Sequence, residues 1–215
     1  WTYGGHTFRS HGDQGLGAVD MVRSIVMSSN VYYYSLANEM GVDTIHDFMK
    51  PLGFGQITGI DLPGEVRGVL PSTEWKRKTY KRPEQQKWYS GETISLGIGQ
   101  GYNTFTMLQL ATATSALANG GLRHTPRTVR ATQDALTHQE QAMTSPAPTT
   151  LGFSPEHLNV IRNGLIGVTT GGTSAQVFAG AGYLSAGKTG TAQAVTIGQK
   201  DKYNAAKLTE HQRDH

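Results

Sequence analysis

The stretch Tyr183-Leu184-Ser185-Ala186-Gly187-Lys188-Thr189-Gly190-Thr191-Ala192-Gln193 decides the reading of this chain. Within it, Lys188-Thr189-Gly190-Thr191 sets a cation before a hydroxyl, then a residue without a side chain, then a second hydroxyl. That order suits an extended backbone edge that receives an anionic peptide end. Lys188 supplies a positive field and Thr189 a donor for a carboxylate. Gly190 lets a bound chain come close with no side chain in the way. Taken alone, the triplet equally fits a strand end followed by a turn, so the rest of the chain has to decide.

Working outward, the apolar spacing of Val19, Val22 and Val26, with Met21 and Ile25 beside them, predicts a helix over residues 18–27. Ser28-Ser29-Asn30 interrupts it, and a helical pattern resumes over residues 31–40 until Gly41 stops it. Another helix is expected over 43–52, and 53–71 is rich in turns. Residues 72–92 are polar and charged, with Trp75, Tyr80, Trp88 and Tyr89 embedded, and read as a long surface loop. Thr106 and Gln109 form a capping box. Met107, Leu110, Ala111, Leu117 and Ala118 are the expected buried face of the helix that it opens. A short strand is expected within 129–136. Ser154-Pro155 starts a helix that runs through Leu158, Ile161, Leu165 and Val168. The stretch around Lys188 reads as the best strand.

The bulk numbers bound the function. With 215 residues the chain can bury one sizeable core. Its 27 glycines exceed the usual share of about 7%, which implies many tight turns and close backbone approaches. A net charge of +3, without a basic stripe interleaved with aromatics, does not point to nucleic acid. With no cysteine, the chain has no disulfide, thiolate nucleophile or cysteine-bound metal. No run reaches the roughly 18 apolar residues of a membrane span. Trp1 is not an initiator methionine, and His215 follows a polar run, so a piece of a longer protein is expected.

Four segments then fall in one order: Ser28-Ser29-Asn30, Thr58-Gly59-Ile60-Asp61-Leu62-Pro63-Gly64-Glu65, Gly97-Ile98-Gly99-Gln100-Gly101, and Gly187-Lys188-Thr189-Gly190-Thr191-Ala192-Gln193. This order resembles the transpeptidase domain of the class B penicillin-binding proteins, within them the elongation-specific branch. Residues 75–89 and the tail from Tyr203 to His215 add to that resemblance, which covers nearly the whole chain. It implies an α/β fold, an antiparallel sheet flanked by helices, here incomplete, so that residues 1–215 form part of one transpeptidase domain. It also implies acyl transfer by a serine in a Ser-x-x-Lys element ahead of Trp1. Ser185-Ala186-Gly187-Lys188 is the one match to that spacing here, and it overlaps the Lys-Thr-Gly segment without a helix start.

By resemblance, Ser28 and Asn30 form the family's Ser-x-Asn element. A hydroxyl there relays a proton, and a carboxamide holds the substrate amide. The residue-level alternative is that this triplet only ends one helix and caps the next. The resemblance makes Lys188 the third catalytic residue. It puts Thr189, Gly190, Thr191 and Gln193 along the bound peptide, with the Thr191 N–H as an oxyanion donor. No cofactor or metal is implied. His6, His11 and Asp13 are too scattered for a metal set. Asp61 and Glu65, set among glycines and Pro63, fit turn roles better than an acid–base pair. Gly97 to Gly101 lacks the lysine of a phosphate loop and fits a tight turn beside the site.

The implied activity is a peptidoglycan D,D-transpeptidase. Its implied partners are the peptidoglycan stem peptide, β-lactams and a lipid-II polymerase, on the periplasmic face of the bacterial inner membrane, with an N-terminal anchoring helix outside this chain. Two alternatives stay open in sequence: a serine β-lactamase, and a non-catalytic penicillin-sensing or scaffold module.

Overall fold

The computed structural model describes residues 1–10 and 15–192. His11, Asp13, Gln193 and the tail from Tyr203 lie outside the described residues. Two compact units share the chain: one from Trp1–Asn38, Gly91–Gly101 and the chain from Gly164, the other from Glu39–Ser90 and Tyr102–Asn163.

The first unit begins with a hairpin in which β1 (Thr2–Tyr3) pairs antiparallel with β2 (His6–Thr7). Its two-residue turn, Gly4-Gly5, takes positive φ at both positions, which glycine adopts without steric cost. Phe8 packs against Trp1, His6 and Tyr34 and ties this hairpin to the helices that follow. Helix α1 (Met21–Val26) is capped by Asp20, whose carboxylate accepts the Arg23 N–H at 2.7 Å. Three residues separate α1 from helix α2 (Asn30–Met40).

In the second unit, helix α3 (Val42–Met49) runs into a 3-10 turn (Lys50–Leu52). Leu52, Phe54, Leu70 and Ala113 form the core there, with Met49, Phe105, Leu151 and Phe153 against them. Residues 72–92 are not the expected loop. They hold helix α4 (Thr73–Thr79), helix α5 (Pro83–Gln86) and the start of helix α6 (Ser90–Leu96). The reasons are local and tertiary. Ser72 caps α4 by accepting the Trp75 N–H, Glu74 pairs with Lys78 one turn on, and Lys76 is buried. The Lys76 ammonium donates to the Lys87 carbonyl and lies about as far from the Trp88, Tyr89 and Tyr102 rings as a cation–π contact requires. A polar helix of this kind has no apolar stripe for sequence reading to find.

Helix α7 (Met107–Ala118) opens with the expected capping box: Thr106 and Gln109 exchange side-chain and backbone bonds. Its buried face differs from the expected one. Gln109, Thr112, Ala113 and Ala116 are buried, whereas Met107 and Leu110 are exposed. The helix is rolled so that Gln109 donates to the carbonyls of Gln56 and Arg67, at 2.5 and 2.8 Å, and satisfies two strands of loop at once. Strand β3 (Leu122–Arg123) pairs with β6 (Thr149–Thr150), and β4 (Ala131–Gln133) with β5 (Glu140–Ala142), both antiparallel. Strand β4 falls within the expected 129–136. Helix α8 (Pro155–Thr170) starts as expected after Ser154. The chain is thus an incomplete α/β domain whose described sheet elements are short antiparallel ladders.

The stretch around Lys188 is the other correction. Residues 183–192 form no strand. A strand is defined by a partner, and among the described residues no strand lies beside this one. Its residue types carry the β signal, but the ladder bonds are missing.

Candidate active site

Three helices of the first unit set the site's floor, and glycine makes their close approach possible. A Cβ at Gly164 would meet Ile25 at 2.9 Å, and one at Gly167 would meet Val26 at 2.5 Å, so α8 lies directly on α1. A Cβ at Gly97 would collide with the Tyr33 carbonyl oxygen and stand 2.8 Å from the Ala37 side chain. The turn after α6 is thereby held against α2. Inside this frame the single hydroxyl hydrogen of Ser24, fully buried, has two acceptors in reach, the Met21 carbonyl at 2.7 Å and the Tyr33 hydroxyl at 3.1 Å. Burial, outweighing that hydrogen bond, raises the Tyr33 pKa.

The turn between α1 and α2 divides its work between two serines. Buried Ser29 takes the capping role: its Oγ accepts the Tyr32 N–H and contacts Ser10 Oγ. Ser28 is released from capping. It adopts φ +54°, an uncommon value for a residue with a side chain. Its Oγ instead accepts a hydrogen bond from Lys188 Nζ at 2.6 Å. The other two ammonium hydrogens have acceptors in the Thr189 carbonyl at 2.9 Å and Thr189 Oγ1 at 3.4 Å. Lys188 is exposed as a residue, yet enough protein crowds its ammonium that desolvation lowers its pKa.

Around this contact lies a cavity of about 650 Å³. Ser28, Asn30, Lys188, Thr189, Gly190 and Thr191 all line it. Gly97, Ile98 and Gln100 form another part of its wall, and Gln100 Nε2 donates to the Thr191 carbonyl at 3.2 Å. The Lys188 segment hangs from α8: the Gly187 N–H donates to the Leu165 carbonyl, and Thr169 Oγ1 donates to the Ser185 carbonyl at 2.7 Å. Six of the seven residues singled out in sequence are therefore gathered in one cavity. The seventh, Gln193, lies outside the described residues. Sequence reasoning missed Thr173, which lines the same cavity with its Oγ1 3.1 Å from Thr189 Oγ1.

Asp61 and Glu65 stand apart from this chemistry, in the second unit. Asp61 accepts the N–H groups of Val129 and Thr128 and the Thr128 hydroxyl, which hold its carboxyl below the usual range. Desolvation pushes Glu65 up, but bonds from Thr58 and from the Gly59 and Ile60 amides overcome it, and its carboxyl is lowered. Both tie loops together.

A cation bonded to a serine hydroxyl, a carboxamide and a Thr-Gly-Thr edge thus line one cavity. The profile of the penicillin binding protein transpeptidase domain matches residues 1–210, and the chain belongs to that family. The proteins it is similar to include peptidoglycan D,D-transpeptidases and PBP2 structures. Peptidoglycan D,D-transpeptidase MrdA of Acinetobacter baumannii is 42% identical over 210 residues, which cover 98% of this chain and 30% of that protein. The solved structure of Pseudomonas aeruginosa PBP2 in complex with WCK 5153 matches 88% of this chain and 42% of its own, with TM-score 0.74 and 38% identity. The complex between PBP2 and MreC from Helicobacter pylori matches 90% of this chain and 34% of that one, with TM-score 0.75 and 29% identity. The chain thus spans about a third of the length of the relatives it matches. Among the described residues, no helix is long and apolar enough to cross a membrane.

Proposed function

We propose that this chain is part of the transpeptidase domain of an elongation-type peptidoglycan D,D-transpeptidase, whose Ser-x-x-Lys nucleophile lies in a segment outside these residues. The observation that carries this reading is the 2.6 Å bond from Lys188 to Ser28, made in the cavity that Asn30, Thr189, Gly190 and Thr191 also line.

The chemistry follows from those groups. The nucleophilic serine attacks the penultimate D-alanine carbonyl of a stem peptide, and the C–N bond to the terminal D-alanine breaks. Ser28, with its oxygen already accepting from Lys188, passes its own O–H proton to the leaving amine and is reprotonated by the proton that the nucleophilic serine releases. Lys188 holds that hydroxyl and adds positive potential that draws in the terminal carboxylate. Thr189 donates to the carboxylate, and Asn30 holds the substrate amide. The Thr191 N–H is one oxyanion donor, and loss of such a donor typically costs about 100- to 1,000-fold in rate. The Gly190-Thr191 backbone pairs with the backbone of the bound peptide. An amine from a second stem peptide then takes the acyl group.

In this reading the parent protein works in the periplasm, anchored in the inner membrane by a helix outside this chain. β-Lactams acylate the same nucleophile, and a lipid-II polymerase is the membrane partner. The likeness to a PBP2 solved with MreC supports a place in the elongation machinery.

The test is acylation of the parent protein by a labelled penicillin, with the adduct located by mass spectrometry. The reading expects one stable adduct on a serine of a Ser-x-x-Lys element, weakened by orders of magnitude in Lys188→Ala. Rapid turnover of the lactam would indicate a β-lactamase. A variant that reacts like wild type would remove Lys188 from the site.

A further inference from the structure

Thr173 lies in the turn after α8, which the resemblance does not use. That turn is pinned in place. The Thr173 N–H donates to the Val26 carbonyl, and the Ser174 N–H to the Val168 carbonyl at 3.1 Å. At Gly172 a Cβ would collide with the Val26 carbonyl oxygen, so the backbone there is pressed against the end of α1. Helix α9 (Ala175–Phe178), which follows, makes no side-chain cap bond. The Thr173 hydroxyl lies 3.1 Å from Thr189 Oγ1 and on the same cavity.

The direction of that bond matters. A threonine oxygen has two lone pairs and one hydrogen. On Thr189, one lone pair faces Lys188 Nζ at 3.4 Å. If Thr173 accepts, the single Thr189 hydrogen is consumed inside the wall. If Thr173 donates, both Thr189 lone pairs are filled and the hydrogen is left to point into the cavity. An anion seated against Thr189 selects the second arrangement, because that one turns the Thr189 hydrogen toward it; in the first, the free hydrogen is on Thr173.

We propose that Thr173 is a positioning residue: its hydroxyl donates to Thr189 Oγ1 and so reserves the Thr189 hydrogen for the carboxylate of a bound acyl donor. The proposal rests on the transpeptidase reading and adds a residue that sets the preference for carboxylate-bearing substrates and lactams. A pinned turn suits the task, since a mobile donor would lose the directional bond to entropy.

The test compares acylation rate constants of the parent protein for a penicillin and for its methyl ester, in wild type, Thr173→Val and Thr173→Ser. The ratio of the two rates does not depend on the fraction of protein that is folded, so partial misfolding of a variant leaves it readable. Wild type is expected to prefer the free carboxylate. Thr173→Val leaves the Thr189 hydroxyl free to turn away from the cavity and should lose about threefold to tenfold on the carboxylate form, with the ester rate little changed, the size expected for one neutral hydrogen bond. Thr173→Ser should restore the preference. An unchanged ratio in Thr173→Val, or equal losses on both substrates, would overturn the proposal. A wild type that reacts but shows no carboxylate preference would overturn it too, while leaving the acyl-transfer reading intact. A wild type that reacts with neither would remove the transpeptidase reading and this proposal together.

Discussion

Lys188 Nζ donates to Ser28 Oγ at 2.6 Å, joining two residues 160 positions apart in the chain. Neither residue is positioned by a regular element of its own. Ser28 sits in a three-residue turn between helices, and Lys188 in an irregular segment hung from α8. The geometry therefore depends on glycine-mediated contact among α1, α2 and α8, and on a strained backbone at Ser28.

That strain can be measured. Both Ser28→Ala and Ser28→Gly remove the hydroxyl and should abolish proton relay. They differ in backbone: at φ +54° alanine keeps the strain and glycine relieves it. Ser28→Gly should therefore be the more stable of the two by about 1 kcal/mol, the reverse of the usual order, as read by thermal melting of the parent protein. An alanine variant that melted higher would contradict the left-handed conformation.

The lowered pKa of Lys188 gives a pH dependence of definite sign. Desolvation is its cause, so the folded state releases this proton more readily than the unfolded chain, whose value is near the ordinary 10.5. Burying the ammonium opposes folding at neutral pH, and the opposition fades as pH climbs from the lowered value toward 10.5. Lys188→Met should melt higher than wild type at pH 7, with the gap closing as the solution becomes alkaline. Acylation that depends on the Lys188 charge should decline below the pH at which an ordinary lysine deprotonates. A gap that widens with pH would reverse the sign.

Close packing predicts a contrast between two glycines of one region. Gly97→Ala forces a methyl against the Tyr33 carbonyl and Ala37, and should cost about 1–3 kcal/mol and weaken acylation. Gly91→Ala meets nothing within 4 Å and should fall within about 1 kcal/mol of neutral, on the stabilising side. Equal melting temperatures would mean that the turn after α6 is not in contact with α2 at Gly97.

Gln109 carries a different load. It is 1% exposed, and replacing it with leucine would strip the capping bond at Thr106 and leave the Gln56 and Arg67 carbonyls without their donor. Gln109→Leu should destabilise the parent protein by at least about 2 kcal/mol in denaturant unfolding. A neutral result would show that water replaces those bonds.

The features legible in sequence were the ones with local causes. The capping box at Thr106 and Gln109 and the start after Ser154 were readable because their partners lie within one turn. The stop at Gly41 and the Ser-x-Asn and Lys-Thr-Gly segments were readable for the same reason or by resemblance. What stayed hidden had distant causes. The burial of Gln109 in place of Leu110 follows from two loop carbonyls more than 40 positions away. The helix at 73–79 is stabilised by a cap and by Lys76 packing on aromatic rings, which apolar periodicity does not register; Ser72 and the Glu74–Lys78 spacing were its readable signals. Among the described residues no strand lies beside the Lys188 segment, and no residue type in that segment reveals whether a partner is there. Thr173 carried no motif, and only its distance to Thr189 exposes it.

The most direct measurement is a crystal structure of the penicilloyl adduct of the parent protein. Hydrogen bonds of about 2.7–3.0 Å from the lactam carboxylate to Thr189 Oγ1, with Lys188 Nζ still on Ser28 Oγ, are the expected result. A carboxylate held elsewhere, with Lys188 turned away from Ser28, would contradict the account.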